Sequence, residues 1–224
     1  MDCKGAHFEK EIIFWGVRWY VAYPISYRQL EEMMSKRGVT VDHSTLNRWV
    51  VKQAPAIEKQ FRCRQRAIGR SWRMDETDVK IRGRWAYLSR AVDKDGQTVD
   101  FLLTPQRDRA AALACLQKAI HHQDRPEKIT IDQSGSNTAA INHYNKTHKT
   151  AIVIQQSKYR TNRVEQDHRA VKRVVRPMLG FKSFWSARCT IAGGEVMQVM
   201  RKEQLVPTSN ERQTPAEPFS SLAA

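Results

Sequence analysis

The period of the apolar positions changes along this chain. Over residues 8–60 they recur every three or four positions, the spacing of helices that bury one face. Ile12, Ile13, Gly16, Val17 and Tyr20 follow it, and Pro24 ends the run. Ser26, with Gln29 three residues on, has the capping-box pattern that opens a second helix. Leu30, Met33 and Met34 are its apolar stripe, and Gly38 stands where a left-handed residue closes a helix. Val39 and Val41 pack the turn. Asp42 or Ser44 then caps a third helix with inner face Leu46, Trp49 and Val50.

From Ser71 the pattern alternates and strand formers dominate. Residues 72–81 and 85–92 predict two strands joined at Gly83. Asp95-Gly96 is a hairpin signal leading to a third strand over 98–103. Helical spacing follows over 109–121, built on Ala111, Leu113, Ala114, Leu116 and Ile120. Lys128-Ile129-Thr130-Ile131-Asp132 reads as a buried strand ending on a carboxylate. A helix over 136–147, a strand over 151–155 and helices over 163–178 and 183–202 complete the series. Hairpins give antiparallel neighbours and helical crossovers give parallel ones. The expected fold is therefore α/β, a ribonuclease-H-like mixed five-stranded sheet with flanking helices, preceded by a small all-α helix-turn-helix domain. The expected boundaries are a helical domain over 8–60, a basic linker over 61–70, the α/β domain over 71–205 and a disordered tail over 206–224. The tail, rich in Pro, Ser and Thr, has too little apolar content to fold alone.

Charge narrows the function. The formal net charge is +15 and the pI about 10.0, which points to a polyanionic partner such as nucleic acid. Arg62, Arg64, Arg66, Arg70 and Arg73 crowd the linker. Two short helices around a Gly-containing turn are the helix-turn-helix pattern. His43, Ser44, Thr45, Asn47 and Arg48 lie off the apolar face of its second helix, side chains of the kind that meet base edges and phosphates. A solvated helical hairpin explains the pattern equally well until the charge is counted. Cys3, Cys63, Cys115 and Cys189 have neither zinc-ligand spacing nor a disulfide framework. No apolar leader or membrane span is read, and a cytoplasmic protein is expected.

Three acids stand in suggestive places: Asp75 within the first strand, Asp132 at the end of the fourth, and Glu165 near a helix start after the fifth. In this strand order the first and fourth strands are central neighbours, so Asp75 and Asp132 approach each other. A carboxylate cluster requires a neutralising cation, and oxygen ligands suit hard ions such as magnesium. Two such ions can stabilise the attacking and leaving oxygens of phosphoryl transfer. Each acid also has an ordinary reading: a surface residue on an alternating strand, a turn aspartate, a carboxylate favoured by a helix dipole. His168 and Lys172, three and seven residues after Glu165, share its helix face.

At these residues the chain closely resembles the transposases of the insertion-sequence-six family of bacterial elements. The resemblance rests on Val17-Arg18-Trp19-Tyr20, Ser26-Tyr27-Arg28, Val41-Asp42-His43-Ser44-Thr45 and Gly69-Arg70-Ser71-Trp72-Arg73-Met74-Asp75-Glu76-Thr77. It continues through Arg84-Trp85-Ala86-Tyr87-Leu88, Arg90-Ala91-Val92-Asp93, Val164-Glu165-Gln166-Asp167-His168 and Leu179-Gly180-Phe181-Lys182-Ser183. It implies a DDE-type, divalent-metal-dependent polynucleotidyl transferase with Asp75, Asp132 and Glu165 as catalytic metal ligands. The cofactor implied is Mg2+, two ions, with Mn2+ able to substitute. The reaction implied is DNA cleavage and strand transfer by 3′-hydroxyl attack on target phosphodiesters, without a covalent protein–DNA intermediate. The partners are double-stranded DNA, as terminal inverted repeats and target, and a second copy of the chain in the reacting complex. The expected DNA contacts are Arg28, His43, Ser44, Thr45, Asn47, Arg48, Lys158, His168 and Lys172.

Two positions depart from the family pattern. Asp78 stands where an aromatic residue is usual, and Gly193-Gly194 falls in a helix where a bulky apolar residue is usual. They motivate an alternative, a catalytically decayed remnant that binds element ends as a repressor.

Overall fold

The computed structural model describes residues 8–157, 162–175 and 180–206, with 162–167 described as backbone only. They form two compact units, one of residues up to Arg66 together with those from Val171 onward, the other Ala67–Ala170.

The first unit is helical. It contains α1 (Lys10–Ala22), α2 (Tyr27–Ser35), α3 (His43–Arg62) and, far along the chain, α7 (Phe184–Arg201). The expected capping box is present: Ser26 Oγ accepts from the Gln29 amide at 3.3 Å, and Gln29 Oε1 accepts from the Ser26 amide at 2.7 Å. Gly38 takes φ +78°, a left-handed conformation that glycine adopts without a steric penalty. Asp42 rather than Ser44 caps α3; its Oδ1 accepts from the amides of Ser44 at 2.9 Å and Thr45 at 3.1 Å.

The core of this unit joins Ile13, Val17, Leu30, Leu46 and Ile57 to Val196, Met197 and Val199 of α7. The seventh helix, which falls within the expected 71–205 domain, thus packs its apolar face against the helices of the first unit. An apolar stripe predicts that a helix is buried, but not against which partner. Gly193 makes the close approach possible: a Cβ there would fall 2.6 Å from Val21 Cγ1 and 3.4 Å from Ala54 Cβ. Arg201 Nη2 donates to the Ala22 carbonyl at 2.8 Å, tying the end of α7 to the end of α1.

The segment expected as a basic linker contains the boundary between the two units, and its first part is held by backbone bonds. The third helix runs to Arg62, and Gln65 then forms an antiparallel bridge with Leu205. The Arg66 amide donates to the Gln204 carbonyl, and the Val206 amide to the Arg64 carbonyl, each at 2.9 Å. These bonds satisfy backbone groups that a tether would leave to water. The tail from residue 207 lies outside the described residues.

The second unit holds β1 (Ser71–Ile81), β2 (Arg84–Asp93), β3 (Thr98–Thr104), α4 (Arg109–His122), β4 (Lys128–Ile131), α5 (Gly135–His148) and β5 (Val153–Gln156). The sheet order is β3-β2-β1-β4-β5. The first three strands pair antiparallel, while β4 runs parallel to β1 and β5 parallel to β4. This is the mixed five-stranded, ribonuclease-H-like arrangement expected from the element order.

Two turns set its register. Arg82 and Gly83 both have positive φ, 49° and 77°, as a two-residue hairpin turn with the twist of its strands requires. In the second hairpin Asp93 Oδ1 accepts from the amides of Asp95 at 2.9 Å and Gln97 at 2.8 Å. One sheet face buries Trp72, Met74, Leu116, Ile129 and Ile141 in a continuous core. Each such side chain contributes roughly 1.5–3 kcal/mol by leaving water. The sixth helix, α6 (Asn162–Val175), follows β5. Among the described residues, no helix is long and apolar enough to cross a membrane.

Candidate active site

The parallel pairing of β1 and β4 leads towards the first two carboxylates. Pairing on β1 and β4 runs Ser71↔Lys128, Trp72↔Ile129 and Arg73↔Thr130, and Asp75 and Asp132 each stand two residues beyond the last pair. Neighbouring strands lie about 4.8 Å apart. Asp132 is the first residue past β4, where the chain turns into α5, and its Oδ1 accepts from the Ser134 amide at 3.0 Å. That bond holds the carboxylate at the strand end, with Oδ2 4.0 Å from Arg107 Nη2.

Alternation places Asp75 and Glu76 on opposite faces of β1. On the Asp75 side lies His168 of α6, its Nε2 3.7 Å from Asp75 Oδ2. His168 is buried, only 4% exposed, so its expected role as a DNA contact is corrected: it faces the Asp75 carboxylate and not solvent. The same spacing that put it on the Glu165 face of the helix turns it inward. On the other side Glu76 is nearly buried and ion-paired to Arg107, in the loop before α4, with Nε 2.5 Å from Oε2. Burial pushes the Glu76 carboxyl above its ordinary range; Arg107 pulls it back, and the charges of Asp132 and Asp75 push it up further.

Sequence reasoning passed over Glu76, Arg107 and Arg90. Arg90 is fully buried and lies directly opposite Asp75 in the β1–β2 register, which puts a guanidinium on the same sheet face. Counting back from a two-residue turn at Arg82-Gly83 identifies it. Nothing local marks Arg107, which is brought to the site by the end of β3.

The described carboxylates meet the chemical requirement of a hard divalent cation for oxygen donors. Among the described residues, no group of three His, Cys, Asp or Glu stands close enough to hold a metal ion. The third expected ligand, Glu165, lies on α6, and its side chain is outside the described residues. Lys158 is outside them too, and Lys172 is exposed two turns beyond Glu165 on the same helix.

Of the two departures in sequence, Asp78 is exposed and lies on the face of β1 opposite to that of Asp75. Gly193 belongs to the helical core of the first unit. Neither occupies the carboxylate pair.

The expected reading surface lies in the helical unit. Arg28, His43, Ser44 and Arg48 are exposed, and Thr45 and Asn47 partly so. Several of these side chains are already oriented. His43 Nδ1 lies 3.0 Å from Glu31 Oε2, Thr45 Oγ1 donates to Asp42 Oδ2 at 2.6 Å, and Arg48 Nη2 donates to Thr45 Oγ1 at 2.7 Å. Ser44 Oγ also donates to Asp42.

A mixed sheet with Asp75 on β1 and Asp132 just past β4, followed by a helix carrying a glutamate, is the arrangement expected of DDE-type polynucleotidyl transferases, which depend on divalent metal. Residues 69–204 match the DDE-domain family model of IS240-type transposases. The chain is 36% identical over 197 residues to the transposase of the insertion sequence-like element IS431mec of Staphylococcus aureus, covering 88% of this chain and 87% of that one. Identity and coverage are the same for the transposase of insertion sequence element IS257 in transposon Tn4003 of that organism. The chain belongs to the insertion-sequence-six family of DDE transposases. Among solved structures, the catalytic core domain of BIV integrase is similar with a TM-score of 0.47 at 18% identity, over 68% of this chain and 95% of that one. The HTLV-2 integrase catalytic core domain in complex with magnesium has a TM-score of 0.46 at 14% identity, over 70% and 99%.

Proposed function

We propose that this transposase binds the terminal inverted repeats of its own element and joins their 3′ ends to target DNA at a site built from Asp75, Asp132 and Glu165. The observation that supports this reading is the parallel β1–β4 pairing, Ser71↔Lys128 to Arg73↔Thr130, with Asp75 and Asp132 each two residues further on. Bound magnesium, as two ions, would supply stabilisation of the attacking and leaving oxygens of an in-line displacement. The chain's own residues do the positioning. Asp132 is fixed through the Ser134 amide, and Asp75 is held between buried His168 and the Arg90 side of the sheet. Exposed Arg107 pairs with the nearly buried Glu76 and lies 4.0 Å from Asp132.

End recognition is assigned to α2 and α3. Exposed Arg28 and Arg48 supply phosphate or base-edge contacts, with His43, Ser44, Thr45 and Asn47 at the start of α3. Lys158 and Lys172 are assigned to the DNA backbone beside the chemistry. A formal net charge of +15 favours binding to both duplexes through counterion release. Two ends react together, so the reacting complex holds at least two copies, and the work is done at the bacterial nucleoid.

A strand-transfer assay tests this reading, using purified protein, Mg2+ and DNA carrying the inverted repeats that flank the gene. Joined product that requires both the repeats and the metal is expected. Tight end binding with no joining under any divalent metal would favour the repressor remnant instead.

A further inference from the structure

Arg107 touches two carboxylates of unlike character. Its Nε lies 2.5 Å from Glu76 Oε2, on a side chain only 5% exposed. Its Nη2 lies 4.0 Å from Asp132 Oδ2, on a side chain 38% exposed. The guanidinium is thus anchored on its buried edge and open on the edge that faces Asp132. The anchor is the strong half, because a buried carboxylate left without a partner is heavily penalised. The open edge is weak, as half-exposed ion pairs are. A guanidinium keeps its charge at any working pH and offers only donors. It therefore cannot become a metal ligand, nor can it be neutralised to admit one. A divalent ion approaching Asp132 Oδ2 meets a positive charge already beside that oxygen.

We propose that Arg107 is a positioning residue that, anchored on the buried Glu76, stands beside Asp132 as a resident cation and holds down the affinity of the site for divalent metal. The proposal rests on reading Asp75 and Asp132 as metal ligands. It gives Arg107 two effects of opposite sign: it orders the Asp132 side of the site and it competes with the ion for it. Loss of a merely structural arginine would weaken metal binding, whereas loss of a resident cation strengthens it.

The test is a titration of the full-length protein, without DNA, with Mn2+, free Mn2+ being read by electron paramagnetic resonance. R107Q removes the charge and is expected to bind Mn2+ about fivefold more tightly or better, as removal of a unit charge several ångströms from a divalent ion implies even in water-like surroundings. R107K keeps Glu76 paired, and so guards against failure to fold. A single ammonium cannot serve both carboxylates, so R107K is expected to bind more tightly than the unmodified protein and less tightly than R107Q. D132N is expected to lose most Mn2+ binding. Unchanged or weaker binding by folded R107Q and R107K, with D132N still defective, overturns the role of Arg107 and leaves the metal site standing. Unmodified affinity in both D132N and D75N overturns the metal site itself. If R107Q does not fold, the affinity of R107K decides.

Discussion

Gly193 allows a stability prediction with a defined sign. In Gly193→Ala the new methyl lies 2.6 Å from Val21 Cγ1 and 3.2 Å from Val21 Cβ, with Ala54 Cβ at 3.4 Å behind it. Val21 is 1% exposed and Ala54 fully buried, so neither has free space to move into. A β-branched side chain on a helix has essentially one comfortable rotamer, so Val21 cannot simply swing aside. Over-packing of this kind costs about 1–3 kcal/mol. Replacing a mid-helix glycine by alanine returns about 1 kcal/mol. The net expectation is a loss of roughly 1 kcal/mol, against the gain that helix propensity alone predicts. Val21→Ala alone should also destabilise, by the transfer of two buried methyl groups, about 1.6 kcal/mol, plus a cavity. In the double variant the methyl added at position 193 occupies the space Val21 vacated, so the two losses should fail to add by about 1 kcal/mol or more. Urea denaturation of all four proteins, followed by tryptophan fluorescence, measures the cycle. Strict additivity, or a Gly193→Ala protein about 1 kcal/mol more stable than the parent, would refute the close-approach reasoning.

Other expectations follow from the two units. Arg48→Ala should weaken binding to terminal-repeat DNA and reduce the salt dependence of that binding by about one charge; an unchanged salt titration removes Arg48 from the reading surface. Hydrogen bonds from the side chains of Ser44 and Thr45 hold the Asp42 carboxyl well below its ordinary range. Because the folded value is depressed, the contribution of Asp42 is complete above the unfolded value of about 3.9 and disappears as pH falls below it. Asp42→Ala should lower the melting temperature at pH 6 and narrow the gap to the parent at pH 2–3; a gap that stays constant contradicts the assignment.

Much of this architecture was legible because local signals agreed with the global fold. The Ser26–Gln29 box, Gly38, the Asp95-Gly96 turn and the alternation on β1 each act over a few residues, and each is found where its pattern stands. Strand order followed from short hairpins and helical crossovers. What escaped is long-range. The bridge between Gln65 and Leu205 leaves no mark on either segment, so a basic stretch without periodicity read as a tether. The seventh helix shows how an apolar pattern predicts burial while its partner is chosen by shape, here by the gap at Gly193. His168 was read as a DNA contact from the basic residues around it, although its helical phase points inward to Asp75. Arg107 sits in a loop, where no period says which way a side chain turns.

The central claim is that Asp75, Asp132 and Glu165 hold the metal ions of one strand-transfer site. The most direct measurement compares Asp75→Asn, Asp132→Asn and Glu165→Gln with the parent, in Mg2+-dependent joining of end-containing DNA and in end binding without metal. Each change removes a ligand oxygen but leaves the helical unit intact. The account predicts that joining is abolished in all three while end binding stays near the parent level. Full joining by any one of them contradicts it.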